Sequence, residues 1–571
     1  MSNRLRYATS SRKGLLDLPF EIVHLLVSFF QRRSLLEARL TCSELYTIAT
    51  EYLHKNLILG SNCWGGHNDL LVDCDFLNYI VGNSHRIESI KFYYPRPPRP
   101  NCQQCQIMAD GPRNLVEIFS VDCRVRFKNL TTLDISSPFV FYPRTKTIVD
   151  LIQRFPHVAS LSIPITKELI NEANFKAVAM RLDKLETLTF SIRWPSWVLD
   201  AHTADLSALW GIINTNSESL RSLRINLYEC SQVADRPRRA SDPWPPKVWH
   251  NRDAFLMRLM LLRPPSSLPQ GFFPTSPSDW PNKLNLKLLQ LQEFSFCVRT
   301  RLGNKLSLLN LEALEAFSLL MSGYACSLVN EIATDLVNLR YLQLDDPFVP
   351  TTSFARLFRR LPRPLEALYL TIPRPHQDLP FELNWLSDHQ QSLRHLALVY
   401  VVESTAVTLK GFSWDYVSPD NPLVLAKPDF TGFTRLETLE LSFGRIHDGL
   451  VNLALPPTLK FLDIEDHESD ILTIRQLEGA YCRLFRGYIR KQYFMSDGLL
   501  KPSLEAMVVH RGSNITFLAR SREESLRGAD GHGRVATMSR DVFKQRFPDF
   551  SERYCQFDAA DYRWKWIERF V

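Results

Sequence analysis

Among its 571 residues the chain has no Gly-rich phosphate loop, no H-E-x-x-H, no G-x-S-x-G and no acid pair in a recognisable catalytic setting. These absences argue against an enzyme of the familiar motif classes, and no cofactor is expected. Apolar runs of membrane-spanning length are missing as well, so no membrane partner is expected. The apolar stretch near the N-terminus contains Glu21 and His24 and no small-residue cleavage site, which speaks against a signal peptide. Eleven cysteines lie scattered without a pairing pattern, as reduced thiols of the cytoplasm or nucleus do. A net charge of +7 is mild for this length and is no evidence of a nucleic-acid binder, which would show a clustered basic face, so no nucleic-acid partner is expected. Cys102-Gln-Gln-Cys105 has metal-knuckle spacing, but no second C-x-x-C or His pair follows it. With only Cys123 and His85 as conceivable partners, it reads as a loop, and no metal site is expected.

What the chain does have is self-similarity. NLTTLDI begins at Asn129, HVASLSI at His157, KLETLTF at Lys184 and SLRSLRI at Ser219. QLQEFSF follows at Gln290, ALEAFSL at Ala313, NLRYLQL at Asn338, PLEALYL at Pro364, SLRHLAL at Ser392, RLETLEL at Arg435 and TLKFLDI at Thr458. Weaker copies stand at Arg86 and Ser503. Each is apolar-x-x-apolar-x-apolar, the alternation of a half-buried strand. From one first apolar residue to the next the steps include 28, 27 and 35 early, and 25, 26, 28 and 23 later. Between them TIVDLIQRF, KELINEANFKAVAMRL, DLSALWGIINTN, SFARLFRRL and ELNWLSDHQQ have helical periodicity. A unit of strand plus helix cannot bury its own apolar face, so repeated copies stack into a solenoid.

Residues 86 to 510 resemble leucine-rich repeats, whose period is roughly 20–29 residues. The expected fold class is therefore α/β, with parallel strands on the concave face and helices outside. The Asn or Cys usually found just after the strand is missing: Asp345-Asp346-Pro347 and Ser442-Phe443-Gly444 stand there instead. Without that side-chain ladder the solenoid is expected to be irregular.

The N-terminal stretch LLDLPFEIVHLLVSFFQRRSLLEARLTCSELYTIATEYL is a separate unit. Pro19 suits a first helical turn and Glu21 complements the helix dipole. Leu18, Ile22, Leu25, Leu26 and Phe29 recur at helical spacing. Ser34-Leu-Leu-Glu37 and Thr41-Cys-Ser-Glu44 read as capping boxes opening two further helices. This stretch resembles an F-box: Leu18, Pro19, Glu21, Ile22, Leu35, Leu36, Arg39, Leu40 and Cys42 match the family's signature positions, with Leu26 on the same apolar face. Ala38 and Ser43 depart from it. The resemblance implies docking on a Skp-family adaptor and, through it, on a cullin–RING ubiquitin ligase. The repeats would then hold a protein substrate, the chain contributing proximity and no bond-making of its own. A repeat scaffold that works without ubiquitin transfer, even if the adaptor binds, is the alternative for the chain; for the helices taken alone it is an N-terminal cap packing only on the solenoid.

These readings divide the chain into a tail (1–13), the F-box (14–56), repeats (57–510) with Pro-rich insertions near 93–113 and 231–285, and a C-terminal cap (511–571). The aromatic YCQFDAADYRWKWIERF is expected to cover the last repeat. In the second insertion Arg238-Arg239-Ala240-Ser241 resembles a basophilic kinase site, making Ser241 a candidate phosphosite within a solvated basic loop. Residues between the buried strand positions are expected to face the concave side. The candidate substrate-binding residues are Tyr341, Gln343, Asp345, Tyr369, His395, Glu440, Phe461 and Asp463, with Asp134, Thr189, Arg224 and Ser295 at equivalent places. Their acids and aromatics suit a substrate with a basic segment.

Overall fold

A computed structural model describes residues 18–19, 22–23, 26–27, 35, 38, 40–59, 81–92, 127–135, 145–170, 172–179, 181–194, 207–229, 283–292, 309–320, 322, 325–345, 352–372, 381–400, 429–443, 453–466, 481–489, 503–511, 514–520, 535–539, 542–543, 546–547, 566–567 and 570. The chain divides into two compact units, Met1–Ile163 and Pro164–Val571. The two Pro-rich insertions, with Ser241, Cys102 and Cys105, lie almost wholly outside the described residues.

In the first unit, helical backbone at Ile22, Val23, Leu26, Val27, Leu35 and Ala38 precedes helix α1 (Ser43–Lys55). Strand β1 (Asn56–Leu59) leaves α1 directly and runs parallel to β2 (Ser89–Phe92). Then β3 (Thr132–Asp134) pairs with β2, and β4 (Ser160–Ile165) pairs with β3, again in parallel. Helix α2 (Thr145–Arg154) crosses between β3 and β4, burying Ile148, Val149, Leu151 and Ile152.

The second unit continues the same logic. Its strands are β5 (Thr187–Trp194), β6 (Ser222–Glu229), β7 (Leu288–Gln292), β8 (Ala316–Leu320), β9 (Tyr341–Asp345), β10 (Ala367–Ile372), β11 (His395–Tyr400), β12 (Thr438–Phe443), β13 (Phe461–Asp466) and β14 (Ala506–Arg511). All ten lie side by side in chain order and in parallel. Two antiparallel strands, β15 (Asn514–Arg520) and β16 (Val535–Met538), follow β14. Helices α3 (Ala173–Ala179), α4 (Ser207–Thr215), α5 (Ala325–Ile332) and α6 (Thr352–Arg360) fill the crossovers.

The hexads explain the core. Leu339, Leu342 and Leu344 are buried, as are Leu365, Leu368 and Leu370, and Leu393, Leu396 and Leu398. The register stacks them, Leu342 against Leu368 and Leu368 against Leu396. Each fully buried leucine contributes about 1.5–3 kcal/mol, so the apolar ladder is the main stabilising term.

Three expectations need correction. The repeat at Gln290 is framed five residues late: Leu223 lies beside Leu289 and Ile225 beside Leu291, so the hexad is Leu286-x-x-Leu289-x-Leu291. The run LNLKLLQLQEF offers two overlapping frames, and Gln290, not Ser295, takes the equivalent strand position. The helix expected over 167–182 is split into Lys167–Ile170 and Ala173–Ala179, because the Glu172 N–H closes the first turn on the Leu169 carbonyl at 3.2 Å. The segment at 382–391 is a 3-10 turn over Leu383–His389, not an α-helix.

The absent asparagine ladder has substitutes. A hydroxyl one residue before the first leucine donates to the previous repeat's backbone: Ser219 to Leu185 (2.8 Å), Ser392 to Leu365 (2.7 Å), Thr458 to Leu436 (3.0 Å) and Ser503 to Leu459 (2.8 Å). Deeper in, the Asn216 carboxamide oxygen accepts the Leu185 N–H at 2.8 Å, and Nδ1 of His389 accepts that of Leu365 at 3.0 Å. Both side chains are buried, and each stands four residues before its own repeat's first leucine. Every buried N–H must find an acceptor, and here the following repeat supplies it.

Just after that first leucine runs a charge ladder. Lys287 pairs with Glu315 at 3.0 Å, Arg340 with Glu366 at 2.7 Å, and Glu437 with both Arg394 and Lys460. Alternating sign places opposite charges side by side on neighbouring repeats, a cross-strand pairing that opposes register slips.

Candidate functional site

Two surfaces carry the residues singled out above. The first is the N-terminal helical unit. The Ile22 and Val23 N–H groups both donate to the Pro19 carbonyl, at 2.9 and 3.1 Å, so a helix opens directly after Pro19. Val23, Val27, Leu35, Ala38, Leu45, Ile48 and Ala49 form a small buried core, with Cys42 and Tyr52 against it. The capping box expected from Thr41 does not form. Helix α1 starts one residue later: the Leu45 N–H donates to Cys42 Sγ at 3.5 Å, and the Thr41 hydroxyl turns back to the Ala38 carbonyl at 2.6 Å. Glu44 stays in the first turn, where its own backbone N–H and the Cys42 and Ser43 side chains hold its carboxyl below the usual range.

The other face of this unit is open. Leu18 (40%), Ile22 (41%), Leu26 (38%), Leu40 (88%) and Tyr46 (48%) are all exposed. Leu18, Ile22 and Leu26 follow one another at intervals of four, while Val23 and Val27 point inward. A helix that is apolar on both faces buries only one of them here, which is the pattern of a surface awaiting a partner. Of the other signature residues, Leu35 is in the core and Glu21, Leu36 and Arg39 lie outside the described residues.

The second surface is the face of β7–β14 opposite the buried leucine ladder. The register sets three side-chain columns across it. One runs Leu288, Ala316, Tyr341, Ala367, His395, Thr438 and Phe461; the next Gln290, Ser318, Gln343, Tyr369, Ala397, Glu440 and Asp463; a third includes Asp345, Thr371 and Val399. The candidate residues are thus brought onto one face, yet most of them do not face solvent. Tyr341, Gln343, Asp345, Tyr369 and Asp463 are buried.

Part of the cover is the end of the chain itself. Trp566 and Ile567 pack into a cluster with Leu288, Ala316, Tyr341, Ala367, Tyr369, Ala397 and Val399, and Phe570 lies against it. The described residues of the aromatic C-terminal segment, Trp566, Ile567 and Phe570, therefore cover the middle strands rather than the last repeat. Over β13–β16, Phe543 and Phe547 close the same face against Ala506, Val508, Phe517, Ala519 and Phe461. Asp463 is 3.1 Å from His510 Nε2, and Gln343 accepts the Ser318 hydroxyl at 2.9 Å. An open acidic surface for a basic substrate is therefore not what these residues form; His395, Glu440 and Phe461 are half-buried at its margin.

On the edge of the second unit, the charge ladder borders an open groove of about 450 Å³ lined by Arg340, Arg363, Pro364, Glu366, Ser392, Arg394 and Arg435. Hydrogen bonds from Arg340 hold Glu366 below the usual carboxylate range. Burial pushes Glu437 up, but hydrogen bonds from Arg394 and Lys460 outweigh it and keep that carboxyl low too. Among the described residues no group of three or more His, Cys, Asp or Glu could hold a metal ion, and no helix is long and apolar enough to cross a membrane.

No protein-family model matches the chain, and no curated protein does. Among solved structures, a crystal structure of a TLR13-ssRNA13 complex matches over 82% of this chain and 68% of that chain, at 13% identity and a TM-score of 0.25. A similarity at that level adds nothing to the strand register, which by itself establishes a long, mostly parallel repeat sheet compatible with a leucine-rich-repeat solenoid.

Proposed function

We propose that the chain is the substrate-recognition subunit of a Skp–cullin–F-box ubiquitin ligase. In this reading the N-terminal helices dock on the Skp-family adaptor and the repeat sheet holds a protein substrate. One observation carries it: Leu18, Ile22 and Leu26 form an exposed apolar stripe, while the small core of these helices is drawn, among the described residues, from other side chains. Together with Leu40 and Tyr46 that stripe is apolar in the way the buried centre of a protein interface is. The signature residues named from the sequence then take distinct roles. Leu18, Ile22, Leu26 and Leu40 supply the contact, Pro19 and Cys42 set where helices begin, and Leu35 holds the core. The chain supplies proximity and orientation to a ubiquitin-loaded enzyme, with no reacting group of its own.

The test is isothermal titration of the full chain with a purified Skp-family adaptor. Leu18→Ala and Ile22→Ala should each weaken binding by about tenfold or more, as truncation of an interface anchor does, while the melting temperature stays unchanged. An unmutated chain that binds no adaptor sinks the proposal. Binding without any substrate that accumulates on removal of this protein would favour the scaffold alternative.

A further inference from the structure

We propose that the slot between Tyr341, Tyr369 and His395 is a peptide-recognition site, occupied in cis by Trp566-Ile567 and Phe570, and that a partner segment of the same chemistry binds there by displacing them. That chemistry is an aromatic residue followed by an aliphatic one, with phenylalanine three positions after the aliphatic residue. The inference deepens the substrate-receptor reading of the repeat sheet, and its test does not involve the adaptor.

The slot is built for inserted rings. Ala316, Ala367 and Ala397 flank the two tyrosines in the first two columns, where, Ser318 apart, the other positions from β7 to β13 carry larger side chains. Small residues beside large ones leave depressions that a third ring fills. Trp566 packs edge-on against Tyr369 with ring centroids 5.5 Å apart. Phe570 stacks on Tyr341 at 5.2 Å with the rings 18° from parallel, and lies 4.8 Å from the His395 ring. Trp566 and Phe570 also touch each other, edge to face at 4.9 Å. These are the offset and edge-to-face geometries that aromatic pairs prefer.

The occupant is held as a ligand is held. Its backbone hydrogen bond among the described residues is internal, from the Phe570 N–H to the Ile567 carbonyl at 3.2 Å, closing one turn that presents all three side chains together. Nearly all of Trp566 and Ile567 is buried, yet they stand far in sequence from the strands they cover. A few aromatic anchors in fitted pockets are the usual source of affinity in a peptide interface. Tethering raises the local concentration of such a segment to about millimolar. An external peptide of equal intrinsic affinity therefore binds only when the tether lets go.

The experiment uses the full chain, its Trp566→Ala/Phe570→Ala variant, and a fluorescein-labelled peptide reproducing residues 563–571 (RWKWIERFV). Fluorescence anisotropy should show the variant binding this peptide at least tenfold more tightly than the unmutated chain does. The same peptide with alanine at its Trp566 and Phe570 positions should not bind. Adding Tyr369→Ala to the double variant should abolish capture. Equal affinity for the variant and unmutated chains overturns the proposal, as does no binding to a variant that still melts cooperatively. A double variant that no longer folds also overturns it, because the segment would then be part of the fixed core. Adaptor binding by the same proteins reads out the receptor hypothesis separately.

Discussion

Asn216 carries a buried set of the cross-repeat hydrogen bonds that stand in for the missing asparagine ladder. Its side chain accepts the Leu185 N–H at 2.8 Å and donates to the carbonyls of Leu182 at 2.6 Å and Ile212 at 2.8 Å. Only 1% of the residue is exposed. In Asn216→Ala the Ile212 carbonyl keeps the Asn216 backbone N–H at 3.3 Å, so its loss is partial. The Leu185 N–H and the Leu182 carbonyl lose this buried partner outright. Each orphaned group costs about 1–3 kcal/mol, which sets the expected loss at about 2–6 kcal/mol for the second unit. Asn216→Asp should cost no less, since it keeps the acceptor but forfeits both donors and buries a charge. Urea-induced unfolding gives the stability difference, and amide exchange at Leu185 locates it. A loss below about 1 kcal/mol, with unchanged protection at Leu185, would refute the ladder account.

Other expectations follow from the same geometry. His389 is buried and its pKa is lowered, chiefly by desolvation, and its Nδ1 must stay unprotonated to accept the Leu365 N–H. Its contribution is therefore complete above the unfolded value near 6.5 and is lost as pH falls from there through the folded value. His389→Ala should flatten the stability profile over that window while lowering stability at pH 7 by about 2–4 kcal/mol; a profile identical to the unmutated chain's contradicts it. Arg340 and Glu366 form a two-bond pair with partly exposed side chains, so a double-mutant cycle should give a coupling of about 0.5–1 kcal/mol that shrinks with added salt. Val27→Ala, in the core, should lower the melting temperature of the N-terminal unit, whereas Leu26→Ala on the open face should leave it unchanged, as differential scanning calorimetry would show.

The repeat strands were legible because period-two burial leaves a direct trace in sequence, and the hexads at Leu339, Leu365 and Leu393 occupy the places it indicates. Periodicity failed where apolar residues were too dense to choose a frame, as at Leu286. It was also silent on packing distant in sequence. Nothing in the alternation at Tyr341 and Tyr369 distinguishes a solvated face from one that Trp566 covers. Asn216 and His389 did leave a signal, a polar residue four positions before a repeat's first leucine. So did the charge ladder, whose signs alternate from Lys287 through Glu315, Arg340, Glu366, Arg394, Glu437 and Lys460 to Glu505. Both become meaningful only once strand register sets those residues side by side. At the N-terminus helical spacing identified the apolar residues, but it could not sort Val23 and Val27, which build the core, from Ile22 and Leu26, which do not.

Docking of an adaptor on the N-terminal helices can be read out by hydrogen exchange of the full chain with and without a purified Skp-family adaptor. New protection should be confined to the helices around Leu18, Ile22, Leu26, Leu40 and Tyr46, with the repeat strands unchanged. Protection that appears on the repeat sheet instead, or nowhere, would contradict it.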